Sequence, residues 1–84
     1  MFELQFSKKA QKFINDLDNE EFDFLTDKLD KFAENPSRFK IKRLKGTKYY
    51  RVRFDDFRVI YTKEGIIIKI DRIDRRKDVY RRLK

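Results

Sequence analysis

The sequence has no cysteine, no histidine and no tryptophan, and only one proline and two glycines in 84 residues. Without cysteine there is neither a disulfide nor a thiolate metal site. Without histidine, the imidazole zinc ligand and the usual general base near neutrality are missing too. Serines without histidine cannot form a hydrolytic triad, and the isolated Gly46 and Gly65 cannot build a phosphate-cradling loop. No carboxylates cluster in a metal-ligand pattern, so no metal and no cofactor is implied. No apolar run is long enough to cross a bilayer, and the amino terminus lacks a basic region followed by an apolar segment. The expectation is a soluble cytoplasmic protein of one domain, residues 1–84, near the size limit at which a core suffices without disulfides or metal.

Charge is what the chain has in abundance, at 45% Asp, Glu, Lys and Arg and a formal net charge of +8. It is distributed unevenly. Residues 1–35 hold five Lys/Arg against nine Asp/Glu, a net −4, whereas residues 36–84 hold eighteen against six, a net +12. A thermophile-like surface of ion-pair networks would interleave the signs. Segregation points instead to a polyanion meeting the second part, most economically nucleic acid.

Phe2 to Phe6 alternates apolar and polar residues, the period of a half-buried strand. Ser7 is placed to cap a helix near 8–17, whose apolar side is Ala10, Phe13, Ile14 and Leu17. Asn19 is placed to cap a second helix, with Phe22, Leu25, Leu29, Phe32 and Ala33 as its stripe and Asn35-Pro36 as its end. After a basic connection, Arg38 to Lys45, come two β-type runs joined by the turn Asp55-Asp56. Another turn at Lys63-Glu64-Gly65 leads to a β-branched run, Ile66 to Ile73, in which Ile66, Ile68 and Ile70 can face the helices and Lys69 and Asp71 look outward. Asp78 to Leu83 closes the chain as a helical turn or an extended tail. The order β-α-α-β-β-β implies an α+β fold: a helical hairpin on one face of a small, mostly antiparallel sheet, with a short C-terminal turn.

The organising stretch is Lys45 to Tyr61, KGTKYYRVRFDDFRVIY. Arg51 and Arg53 leave one face of a strand while Tyr50, Val52 and Phe54 leave the other, and a tight hairpin brings Arg58 beside the two arginines. Massed guanidinium groups repel, which costs stability unless an anion sits among them. Cations with tyrosines suit RNA cleavage in which a 2′-hydroxyl attacks its neighbouring phosphate, since the substrate brings its own nucleophile and the protein needs to orient it, assist proton transfer and neutralise charge. Arg75, Arg76 and Tyr80 can complete the face; the alternatives are a basic tail for Arg75-Arg76-Lys77 and a packing latch for Tyr80. Lys45, Lys48, Tyr49, Lys77 and Arg81 are candidate RNA contacts, with Tyr49 and Tyr50 divided between a stacking platform and the core.

The succession RLKG, YYRVRFDDFRVIY and IDRRKDVYRRL resembles the RelE toxins of the RelE/ParE superfamily over nearly the whole chain. That resemblance implies a toxin–antitoxin toxin that enters the ribosomal A site and cleaves messenger RNA, an mRNA interferase held inactive by an acidic antitoxin of RelB type. It implies catalytic roles for Arg51 and Arg53 as the paired strand residues contacting substrate, for Arg58 at the scissile phosphate, for Arg76 (or Arg75) as the later arginine, and for Tyr80 as the residue positioning the nucleotide. Some RelE toxins carry lysines where Arg51 and Arg53 stand, and arginine holds its proton too firmly to be a base, so the proton acceptor is open. Many relatives have glycine-histidine where Asp74 and Arg75 stand. The ParE branch, whose members inhibit DNA gyrase without cleaving RNA, is the alternative within the resemblance, and a basic nucleic-acid-binding module is the alternative outside it.

Overall fold

The computed structural model describes residues 1–75. Strand β1 (Glu3–Phe6) leads into helices α1 (Lys8–Asn15) and α2 (Asn19–Glu34). A 3-10 turn (Pro36–Arg38) precedes β2 (Ile41–Arg43), β3 (Tyr50–Phe54), β4 (Phe57–Glu64) and β5 (Ile67–Arg75). The five strands form one sheet in the order β1-β5-β4-β3-β2. All neighbours are antiparallel except β1, which runs parallel to β5 with Leu4 opposite Ile68 and Phe6 opposite Ile70. The helical crossover between β1 and the rest of the sheet is what allows that parallel edge. The α+β fold and its helical hairpin are as expected, with one addition. The basic connection contains β2, whose three residues pair with β3.

Local chemistry sets the boundaries. The Ser7 hydroxyl accepts from the Ala10 amide at 3.0 Å and starts α1, which ends at Asn15, two residues before Leu17. Asp18, and not Asn19, caps α2: its Oδ1 accepts from the Glu21 amide at 2.9 Å, and Asn19 is already helical. Between β3 and β4 the turn is Asp55-Asp56, with Asp55 at φ 54°, a left-handed conformation aspartate tolerates better than most residues. The next turn is Gly65-Ile66, one residue later than expected, with Gly65 at φ 57° and Glu64 opposite Ile67. Ile66 therefore sits in the turn, 63% exposed, and does not face the helices.

The core lies between the helical hairpin and one face of the sheet. Ala10, Ile14, Leu25, Leu29 and Phe32 meet Val52, Phe54, Phe57, Val59, Tyr61, Ile68, Ile70 and Ile73. Phe32 is its centre, fully buried and in edge-on contact with Phe39, Phe54 and Tyr61 at 5.3 to 6.0 Å between ring centroids. No helix among the described residues is long and apolar enough to cross a membrane.

One irregularity decides what each face of β5 carries. Tyr61 pairs with Ile70 but Ile60 pairs with Arg72, so Asp71 is an extra residue, a β-bulge. Before it Ile68 and Ile70 point to the core; after it Ile73 does, three positions on rather than two. The bulge reverses the alternation, turning Arg72 and Asp74 to the open face and Arg75 to the helical side. Ser7 clamps this point: its hydroxyl donates to the Asp71 carbonyl at 2.6 Å while it caps α1.

Candidate nucleic-acid interface

The face of the sheet opposite the helices carries the arginines. Arg53 lies directly across from Arg58, and Arg51 across from Ile60. Their neighbours Val52, Phe54, Phe57 and Val59 are buried, so packing on the other side of the sheet fixes which way the guanidinium groups leave the backbone. With Leu44, Tyr49 and residues of β5, Arg51 and Arg58 line a groove of about 420 Å³. Arg51 and Arg53 have no carboxylate partner among the described residues. Arg58 does have one: its Nε donates to Asp74 Oδ1 at 2.8 Å, with the two side chains 34% and 38% exposed.

Tyr49 lines this groove and also an adjoining hollow of about 400 Å³ with Lys48, Thr62 and Lys69. Tyr50 turns the other way and stacks on Tyr61, centroids 5.4 Å apart and planes 22° from parallel. Burial, and secondarily Tyr50, pushes the Tyr61 hydroxyl up to about 12. Tyr61 is a neutral floor beneath the cationic face. Lys45 and Lys48 border a shallow hollow with Arg43 and Gly46 in the turn before β3, where Gly46 takes φ 79°. In the adjoining hollow Lys69 holds Glu64 at 2.6 Å, and that hydrogen bond and charge depress the Glu64 carboxyl.

The structure brings Arg51, Arg53, Arg58, Lys48 and Tyr49 to the open side of the sheet, leaves Lys45 beside Lys48 in the turn before β3, and does not bring Arg75 to join them. Arg75 pairs in register with Phe57, lies over the Phe57 ring at 5.4 Å, and its Nη2 donates to Glu21 Oε1 of α2 at 3.0 Å. The reason is the bulge at Asp71. Arg76, Lys77, Tyr80 and Arg81 lie outside the described residues. Three charged groove residues were not among the site candidates read from the sequence, Asp71, Arg72 and Asp74, and the signal that could have found them is the spacing of Ile68, Ile70 and Ile73, which breaks the period of two.

The fold, a helical hairpin backing one face of a five-stranded sheet, is shared by known structures. One chain of the RelE–RelB complex from Pyrococcus horikoshii OT3 superposes with a TM-score of 0.72 at 25% identity, over 89% of this chain and 94% of that one. A chain of the RelBE2 toxin–antitoxin complex from Mycobacterium tuberculosis gives 0.73 at 18% identity, over 89% and 98%. The isolated RelE toxin of E. coli gives 0.70 at 18% identity over the full length of both chains. No curated protein sequence matches. The model of one protein family, described as the ParE toxin of the type II toxin–antitoxin system parDE, matches residues 4–80, which is more than half of the chain. The chain therefore belongs to that toxin family, within the RelE/ParE superfamily of type II toxin–antitoxin systems, and it carries the RelE fold.

Proposed function

We propose that this toxin is a ribosome-dependent endoribonuclease that cleaves messenger RNA in the A site by attack of a 2′-hydroxyl on the adjacent phosphate, leaving a 2′,3′-cyclic phosphate and a 5′-hydroxyl. The observation that carries this reading is the row Arg51, Arg53 and Arg58 on one open sheet face, with Arg53 and Arg58 in direct register. Like charges paired across strands are destabilising, and a phosphodiester approaching a phosphorane supplies the negative charge that makes the arrangement favourable. In this reading Arg58 holds the scissile phosphate, Arg51 and Arg53 contact its neighbours, and Tyr49 offers a face for base stacking. Arg76 and Tyr80 are proposed to complete the site, and Lys45, Lys48, Lys77 and Arg81 to contact RNA.

The partner proposed for the resting state is an acidic antitoxin of RelB type, disordered alone and folding as it wraps the toxin in the cytoplasm. The net charge of +8 and the apolar hollow that Met1, Phe2, Phe6 and Phe22 line between β1 and the helices support such a partner. Induced expression followed by primer extension tests the cleavage. Codon-positioned cuts in translated messages are expected, lost in Arg58→Ala; intact messages would defeat the reading. The family model's ParE description favours one other reading, a non-catalytic inhibitor of DNA gyrase. A supercoiling assay that responds to the protein while RNA stays whole would establish that reading instead.

A further inference from the structure

Asp74 has no task in the function proposed above. An acid among anion-binding arginines weakens anion binding, and a half-exposed ion pair contributes little stability in return. Its geometry is nevertheless specific. Arg58 reaches it through Nε alone, so the terminal Nη1 and Nη2 edge of the guanidinium has no hydrogen-bond partner among the described residues. The carboxylate likewise spends Oδ1 on Arg58 and has no partner at Oδ2 among those residues, while lining the groove. A phosphate seated on the terminal edge of Arg58 would stand beside a carboxylate fixed by the other edge.

We propose that Asp74 is the proton acceptor of this site, taking the proton of the attacking 2′-hydroxyl; the inference rests on the ribonuclease reading. As the 2′-oxygen bonds to phosphorus, its proton passes to Oδ2 of Asp74. The bond from phosphorus to the 5′-oxygen breaks, that oxygen takes a proton from water, and Asp74 returns its proton to solvent. The step is a transesterification with no oxidant, reductant or co-reactant. The groups facing Asp74 are Arg51 on β3, Arg58 on β4, Asp71 and Arg72 on β5, and Tyr49 before β3. Guanidinium groups hold their protons too firmly to serve. Asp71, the other carboxylate, stands at the bulge, where its carbonyl is tied to Ser7 and its side chain makes no ion pair with an arginine among the described residues.

Single-turnover cleavage of messenger RNA on programmed ribosomes tests this. Asp74→Asn keeps a carbonyl oxygen for Arg58 Nε but cannot take a proton. The cleavage step should fall about 100-fold or more, ribosome affinity should be unchanged or tighter, and the fall in rate toward acid pH expected of wild type should be absent from the variant. Asp74→Ala should be as slow and should recover part of its rate in added formate, which provides a second route should the asparagine variant fold poorly. Four results would overturn the inference: wild-type cleavage by Asp74→Asn, faster cleavage, as a carboxylate that merely blocks Arg58 would give, affinity and rate falling together, or loss of the acid-side fall in Asp71→Asn instead. Wild type that cuts while Asp74→Asn cuts equally well sinks this inference alone. Wild type that never cuts sinks the ribonuclease reading with it.

Discussion

Arg53 and Arg58 offer a way to ask whether the cationic face is held against its own repulsion. They are direct cross-strand partners, and only Arg58 has a carboxylate, Asp74, beside it among the described residues. Two unit charges roughly 7 Å apart, a fair spacing for the ends of paired strand side chains, repel by about 0.6 kcal/mol in water. Arg51, two residues along the same face, adds a comparable amount, and a Debye length of about 8 Å at physiological ionic strength removes more than half of the sum. Replacing Arg53 by glutamine at low salt should therefore stabilise the fold by about 0.5–1 kcal/mol, with the gain fading toward zero as salt rises. Replacing Arg58 removes the same charge but also the Asp74 pair, worth about 0.5–1 kcal/mol at this exposure, so Arg58→Gln should be neutral or mildly destabilising. Equilibrium urea unfolding of the two variants at low and at high salt measures both. A loss of stability in Arg53→Gln, or a gain indifferent to salt, would refute the reasoning, because Arg53 would then be held by packing and not merely opposed by charge.

Two further consequences concern the scaffold. The Tyr61 hydroxyl, pushed up to about 12 from an ordinary 10, favours the folded state while it keeps its proton. That contribution is whole below pH 10 and is lost as pH rises toward 12, a fall of about 2–3 kcal/mol that Tyr61→Phe should flatten in urea unfolding over that range; an equally steep fall in the variant would exclude Tyr61 as its cause. Ser7→Ala removes both the cap of α1 and the clamp on the Asp71 carbonyl, and should cost about 1–2 kcal/mol, with hydrogen exchange accelerating at Ala10 and around the bulge together. Exchange changing at the helix alone would show that the clamp does not hold the bulge.

Much of this molecule is legible from periodicity. The helical stripe of α2 from Leu25 to Ala33, the hairpin at Asp55-Asp56 and the division of β3 into a Val52/Phe54 side and an Arg51/Arg53 side follow from spacing, because burial on one face leaves no freedom in the other; Phe22, expected in that stripe, is 40% exposed at the start of the helix, and Phe24 packs against the core in its place. The strand β2 was not legible. Three exposed residues, Ile41 to Arg43, carry no alternation and become a strand only by pairing with β3, a partner no local pattern announces. The cap of α2 escaped for a smaller reason: Asp18 and Asn19 are both good caps, and only the chain's path out of α1 chooses between them.

The bulge at Asp71 matters most, because it decides the composition of the site. Strict alternation from Ile68 and Ile70 would send Arg72 and Asp74 into the core and Arg75 to the open face, and on that pattern the groove exchanges one arginine for another and holds no carboxylate fixed to Arg58. The core forbids it. Ile73 is buried, and its removal to the open side would leave a gap under β5 while forcing an unpaired aspartate among Phe57, Val59 and Ile73's other neighbours, a cost of several kcal/mol for the buried charge alone. One added residue resolves both demands at once: it keeps Ile73 inside, gives Arg75 a carboxylate on α2 at Glu21, and sets Asp74 against Arg58. Packing on the hidden side of the sheet thus chooses which acid stands in the groove on the open side, so the chemistry available there is set by the position of an isoleucine that never touches it.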